Sequence, residues 1–118
     1  MPKVMLAEDD ATMLSLLRTL LRMEGFETIT LGVEEDVLEV LHREAPDLVL
    51  LDVNLTQGNG IDFLRRIRRD GGLQEVVVIM SSGMPLAEEC IDAGANSFLL
   101  KPYMPDDLIN AIKSGLAK

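Results

Sequence analysis

The chain has 118 residues, 47% of them apolar and 26% charged, with a formal net charge of −9 and a pI near 4.4. That length fits one domain, taken as residues 1–118, with a core of its own, and the acidic balance argues against direct nucleic-acid binding, which needs clustered lysines and arginines. No apolar run reaches membrane-span length and Met1-Pro2-Lys3-Val4 runs straight into a strand pattern without a signal peptide, so a soluble, cytoplasmic protein with no membrane partner is expected.

Val4-Met5-Leu6-Ala7 predicts a first strand that ends on Glu8-Asp9-Asp10. Ala11 to Glu24 carries Met13, Leu14, Leu17, Leu20 and Leu21 at helical spacing, with Asp10 as N-cap and Gly25 as C-cap. Phe26 to Leu31 alternates around Glu27 and Thr28 and reads as an edge strand. Glu34 to Glu44 predicts a second helix with Val37, Leu38 and Leu41 inward, and Pro46 blocks its continuation. His42 falls on that helix among charged neighbours, which suits a surface histidine better than a ligand.

Asp47-Leu48-Val49-Leu50-Leu51-Asp52-Val53-Asn54 is the stretch around which the rest is arranged. Four consecutive apolar residues suit a strand buried on both faces of a parallel sheet. The run stops on Asp52, which is either a turn aspartate or an acid delivered to the sheet edge where α/β folds bind ligands. Thr56-Gln57-Gly58-Asn59-Gly60 follows as a loop by composition.

Ile61 to Arg69 predicts a third helix with Phe63, Leu64 and Ile67 on one side, ended by Gly71-Gly72. Arg65, Arg66, Arg68 and Arg69 read as its solvated face. Glu75 to Met80 is a buried strand running into Ser81-Ser82-Gly83, and Leu86 to Ala93 a shorter helix with Pro85 near its start and Gly94 at its end. Cys90 on that helix is single and has no base nearby, so it reads as a structural thiol in a reducing compartment. Asn96 to Leu100 forms the fifth strand and delivers Lys101-Pro102; Pro105, Asp106 and Asp107 open a last helix that buries Leu108, Ile109, Ile112 and Leu116.

Five strands alternating with five helices predict an α/β fold, a single (βα)5 doubly wound parallel sheet. All strand ends then share one edge, which gathers Glu8, Asp9, Asp52, Ser81 or Ser82, and Lys101. Converging carboxylates repel one another, so the arrangement calls for a hard divalent cation such as Mg²⁺. With the acids neutralised, one carboxylate can attack phosphorus and form an aspartyl phosphate, while a lysine and a hydroxyl hold the remaining phosphoryl oxygens.

An acid pair, a central Asp, a Ser/Thr and Lys-Pro at successive strand ends closely resemble the receiver domain of two-component response regulators, over the whole chain. The resemblance implies a flavodoxin-like strand order 2-1-3-4-5. It implies Asp52 as phosphoacceptor, charged from the phosphohistidine of a sensor histidine kinase or phosphotransfer protein. It implies Mg²⁺ (or Mn²⁺) held by Asp9 and Asp52 directly, by the Asn54 backbone carbonyl, and by Glu8 through a water. Lys101 would pair with the phosphoryl group, and the Lys101-Pro102 peptide would be cis. The hydroxyl position falls on Ser82, by spacing from Asp52, with Ser81 as the alternative; Phe98 matches the aromatic switch position or is a plain core aromatic. Thr56 replaces a common proline, which predicts a looser loop, and Asn59-Gly60 replaces a frequent Asp-Gly.

The expected function is thus a phosphorylation-operated switch that changes a partner-binding face, catalysing only its own phosphorylation and slow dephosphorylation. Its downstream partner is an effector protein, or an output domain if the chain is one part of a longer regulator. Two rival readings are a non-phosphorylated pseudo-receiver, which loss of Asp52 or Lys101 would have favoured, and an aspartate-nucleophile phosphohydrolase. The latter needs a second Asp two residues after the nucleophile, where this chain has Asn54.

Overall fold

The structure, a computed structural model, describes residues 1–117. Strands β1 (Lys3–Ala7), β2 (Glu27–Thr30), β3 (Leu48–Asp52), β6 (Val77–Ser82) and β7 (Ser97–Leu100) form one parallel sheet in the order β2-β1-β3-β6-β7. Counting sheet strands alone, this is the 2-1-3-4-5 winding expected from the sequence. Two further short strands, β4 (Asn54–Leu55) and β5 (Gly58–Asn59), pair as a hairpin just past the end of β3. Helices α1 (Ala11–Met23) and α5 (Pro105–Leu116) cover one face, and α2 (Val37–Glu44), α3 (Gly60–Arg69) and α4 (Ala87–Asp92) the other.

Strand alternation explains the two-sided core. On β3, Leu48 and Leu50 join Leu17 and Leu21 of α1 and Leu108 and Ile112 of α5. The intervening Val49 and Leu51 join Val37, Leu41, Leu64 and Ile67 of α2 and α3. Both faces of β3 are therefore dry, as its unbroken apolar run requires. Each such leucine contributes roughly 1.5–3 kcal/mol of burial, enough to hold the strand's C-terminal acid in a rigid frame.

Local chemistry set several boundaries that periodicity alone missed. The second helix begins at Val37 rather than Glu34, because Asp36 is spent as N-cap on the Glu39 N–H and Glu35 folds back onto the Gly32 N–H. The fourth sheet strand begins at Val77 rather than Glu75, since Val76 N–H is already bonded to the Leu73 carbonyl in a turn. Asn96 stays outside the last strand and uses its side-chain oxygen to accept from Val78 N–H. The third helix ends at Arg69, with Asp70 in extended backbone, before the two glycines are reached. The segment Thr56–Gly60 is no plain loop: it holds the hairpin turn, β5 and the first residue of α3.

Arg68 also departs from the expected solvated face. Its guanidinium donates to the carbonyls of Gly94, Gln74 and Val76 and to Asn96 Oδ1, tying α3 to the two loops that lead into β6 and β7. Gly94, with φ of +112°, lets the chain turn there, and a Cβ at this position would strike the Arg68 side chain. His42 sits on the surface as expected and contacts Asp70 at 2.9 Å; Cys90 is fully buried.

Candidate functional site at the C-terminal edge of the sheet

Strand order reverses between β1 and β3, so the crevice beyond their carboxyl ends is where an open α/β sheet binds ligands. Glu8 leaves β1 there, Asp52 closes β3, Ser81 and Ser82 close β6, and Lys101 follows β7. The alternation that sends Leu50, Ile79 and Leu99 toward α1 and α5 sends Asp52, Ser81 and Lys101 the same way. Lys101 Nζ lies 2.6 Å from Glu8 Oε1 and 2.9 Å from Asp52 Oδ2, bridging two acids that are each only 7% exposed.

The electrostatics follow from that burial. Loss of solvent pushes the Asp52 carboxyl above its ordinary value; the Lys101 ammonium opposes this, and Glu8 adds to it by repulsion. Burial on its own would lower the Lys101 ammonium, but hydrogen bonds and attraction from Glu8 and Asp52 outweigh it and leave the group raised. Each charge at this edge is thus sustained by the opposite charge facing it. Asp52 Oδ1 also accepts from Asn54 N–H at 3.3 Å, which fixes the carboxylate plane over the start of β4. Behind it, Gly60 N–H bonds the Val53 carbonyl at 2.6 Å, and a Cβ on Gly60 would run into the Asp52 carbonyl. The hairpin and α3 can therefore close on the end of β3 only through a glycine.

Asp9 does not join the other acids. Its Oδ2 accepts from Thr56 N–H at 2.5 Å and from Thr56 Oγ1 at 2.8 Å, and the residue is exposed. Far from loosening the segment, Thr56 pins it. Gln57 fixes the same turn from the other side through Nε2, which donates to the Gly32 carbonyl at 2.7 Å. Among the described residues no three carboxylate, imidazole or thiol side chains stand together as a ready cation site. The donors at the edge are nonetheless all hard oxygens, the chemistry that suits Mg²⁺, and Lys101 supplies the countercharge among them.

The two serines play different parts. Ser81 lies opposite Asp52 in the strand register, and its carbonyl accepts from Val53 N–H. Ser82 is fully buried, its Oγ accepts from Met84 N–H at 3.0 Å, and its carbonyl accepts from Lys101 N–H at 2.8 Å. It thus couples the loop leading into α4 with the lysine's own backbone. Phe98 is partly buried against the α2–α4 core cluster, on which Leu86 of the α4 entry also packs. The Lys101–Pro102 peptide is cis. Two groups escaped the sequence reading: Thr56, visible there only as a departure from a family pattern, and Tyr103. The Tyr103 hydroxyl is buried without a hydrogen-bond partner among the described residues, and burial pushes its pKa up to about 12.

Comparison with known proteins agrees with this geometry. The family model described as the response regulator receiver domain matches residues 4–113. The chain is 31% identical over 116 residues to the DNA-binding response regulator MtrA of Mycolicibacterium paratuberculosis, covering 98% of this chain and 52% of that protein. It is 34% identical over 117 residues to the transcriptional regulatory protein PdtaR of Mycobacterium tuberculosis, covering 98% of this chain and 57% of that one. The chain thus spans about half the length of the curated relatives it matches. A CheY-like receiver domain of Methanospirillum hungatei superposes with a TM-score of 0.87 at 26% identity, over 99% of this chain and 94% of that chain. The N-terminal signal receiver domain of a Bacteroides fragilis response regulator also superposes at 0.87 and 26%, over 100% and 98%.

Proposed function

The chain belongs to the response regulator receiver domain family, and from that premise we propose that it works as a phosphorylation-operated switch with Asp52 as the phosphoacceptor. The observation that carries the proposal is the Lys101 bridge between Glu8 and Asp52 at the reversal of strand order. A carboxylate that is buried, raised in pKa and held by one ammonium is a directed oxygen nucleophile. Its oxygen attacks the phosphorus of a partner's phosphohistidine; the new P–O bond forms as the P–N bond breaks, and the electron pair leaves on the imidazole nitrogen.

The donor set fits Mg²⁺, which when bound supplies positive charge against the transferring phosphoryl oxygens. Asp9, Asp52 and the Asn54 carbonyl would hold it, with Glu8 acting through a water. Lys101, released from Asp52 by the transfer, pairs with a phosphoryl oxygen as a point charge. Ser82 is the hydroxyl that follows, because it alone of the two serines is bonded to the α4 loop. Phe98 sits on the same side of the sheet as that loop and takes up the space it vacates. The output is then a changed face around α4, β7 and α5, read by an effector protein or by an output domain such as the remainder of a longer regulator.

A phosphohydrolase reading lacks its general acid, since Asn54 stands two residues after Asp52. A pseudo-receiver reading is disfavoured by the intact Asp52–Lys101 pair. Incubating the chain with an acyl phosphate and Mg²⁺ should add one phosphoryl mass, and Asp52→Asn should add none. Full labelling of that variant would remove Asp52 from its role.

A further inference from the structure

We propose that Thr56 is a latch that competes with the divalent cation for Asp9, and so sets the cation affinity of this site. The inference rests on the reading of Asp9 and Asp52 as cation ligands. Asp9 Oδ2 takes two donors from one residue, the Thr56 main-chain N–H at 2.5 Å and its hydroxyl at 2.8 Å. Hydrogen bonds to a charged carboxylate are among the stronger ones a protein makes. While they last, that oxygen is unavailable, and the acids at the edge do not gather into a cation-holding group.

The latch does not travel with Asp9. The turn that carries Thr56 is anchored on its far side, where Gln57 Nε2 donates to the Gly32 carbonyl at 2.7 Å and to the Glu35 carbonyl at 3.3 Å. The β4–β5 pairing and the Gly60–Val53 bond fix its base. Asp9 Oδ2 must therefore leave Thr56 before it can ligate the cation, and the cation has to offset both bonds. Nothing else in the hairpin uses the Thr56 N–H, whose ladder is made by Asn54 with Asn59 and Leu55 with Gly58. Proline, which presets the φ wanted early in a turn, is thus admissible at position 56 and removes both donors at once.

The test is an Mg²⁺ titration of the intact chain by calorimetry, with the rise in melting temperature as second readout, neither of which needs phosphorylation. Thr56→Ser keeps both donors and should bind like the parent. Thr56→Ala loses the hydroxyl and should bind roughly threefold tighter, and Thr56→Pro, losing both donors, roughly tenfold tighter. In an Asp9→Ala background the same substitutions should change nothing, which isolates the Thr56–Asp9 coupling. Equal affinity for parent and Thr56→Ala overturns the latch. Weaker binding by Thr56→Ala overturns it too, since Thr56 would then be orienting Asp9 toward the cation. An absence of Mg²⁺ binding in parent and variants alike would instead overturn the cation site itself.

Discussion

Lys101 is the residue on which the charge balance at the sheet edge depends. Its ammonium is raised above the ordinary value, so its own titration favours the fold below the unfolded lysine value and that contribution is lost as pH rises through the folded one. At the acid end the pairing lasts only as long as the facing carboxyls stay ionised. Asp52 behaves oppositely to a surface aspartate. Its folded carboxyl is raised, so the native state binds that proton more tightly than the unfolded chain, and ionising it at neutral pH costs stability. Removing the ammonium leaves two nearly buried carboxylates with no countercharge. Lys101→Ala should therefore lose about 2 kcal/mol at neutral pH, discounted from the fully buried case because the lysine is itself partly exposed. The deficit should shrink as pH falls and the carboxyls protonate, and Mg²⁺ should restore part of it at neutral pH by replacing the missing charge. Urea unfolding at pH 5 and 7.5, with and without Mg²⁺, measures this. An equal loss under all conditions would mean that Lys101 contributes packing rather than charge.

At the scale of elements, α4 and Arg68 present opposite cases. Helix α4 has six residues and no side-chain N-cap, so little of its own hydrogen bonding holds it. Its placement depends on Cys90 in the core below and on the loop bonded to Ser82. In the proposed switch, that combination would let α4 respond when the strand end beneath it changes. Arg68 works the other way: four acceptors on two loops converge on one planar guanidinium. Arg68→Ala should cost about 2–3 kcal/mol by leaving partly buried carbonyls unpaired. Arg68→Lys should recover little, because an ammonium cannot reach acceptors spread over a fork. Amide exchange should quicken in the 74–76 and 94–96 segments in both variants, and full stability of the lysine variant would show that charge alone suffices there.

Across the whole molecule, the proposed switch would require phosphorylation to shift an equilibrium between two packings. The proposed route runs from Asp52 through the Ser82 loop to Phe98 and the α4–β7–α5 face. Leu86, partly buried, and Phe98 already pack on the same cluster, while Met104 at the α5 entry is exposed. A phosphoryl mimic such as beryllofluoride, added with Mg²⁺, should move the amide resonances of α4 and β7 as well as those near Asp52. Ser82→Ala should confine the changes to the Asp52 loop, whereas Ser81→Ala should leave the spread intact. The reverse pattern would transfer the coupling role to Ser81, and changes that never leave the Asp52 loop would place the output surface elsewhere. A differential affinity of a few kcal/mol between the two packings is enough for such a response.

The sequence by itself determined the α/β class with its parallel sheet and the chemistry delivered to one edge, whereas the strand order was legible only through the family resemblance. Uninterrupted apolar runs such as Leu48–Leu51 suit only a doubly covered strand, and acids or a lysine directly after such runs must emerge where the strands end. Those are properties of single strands and their alternation, and they survive without knowledge of any neighbour. The tertiary structure alone decided which partners the edge residues take. Lys101 meets Glu8 as well as Asp52 because β1, β3 and β7 bring three distant segments over one face. Asp9 turns to Thr56 because a hairpin, hidden in a stretch that reads as loop, carries that threonine's N–H and hydroxyl to it. Arg68 is half-buried although its helix reads as charged all along one side, since the loops leading into β6 and β7 close over it. Pairings of this kind depend on distances between residues far apart in the chain, which hydrophobic period and turn composition do not encode.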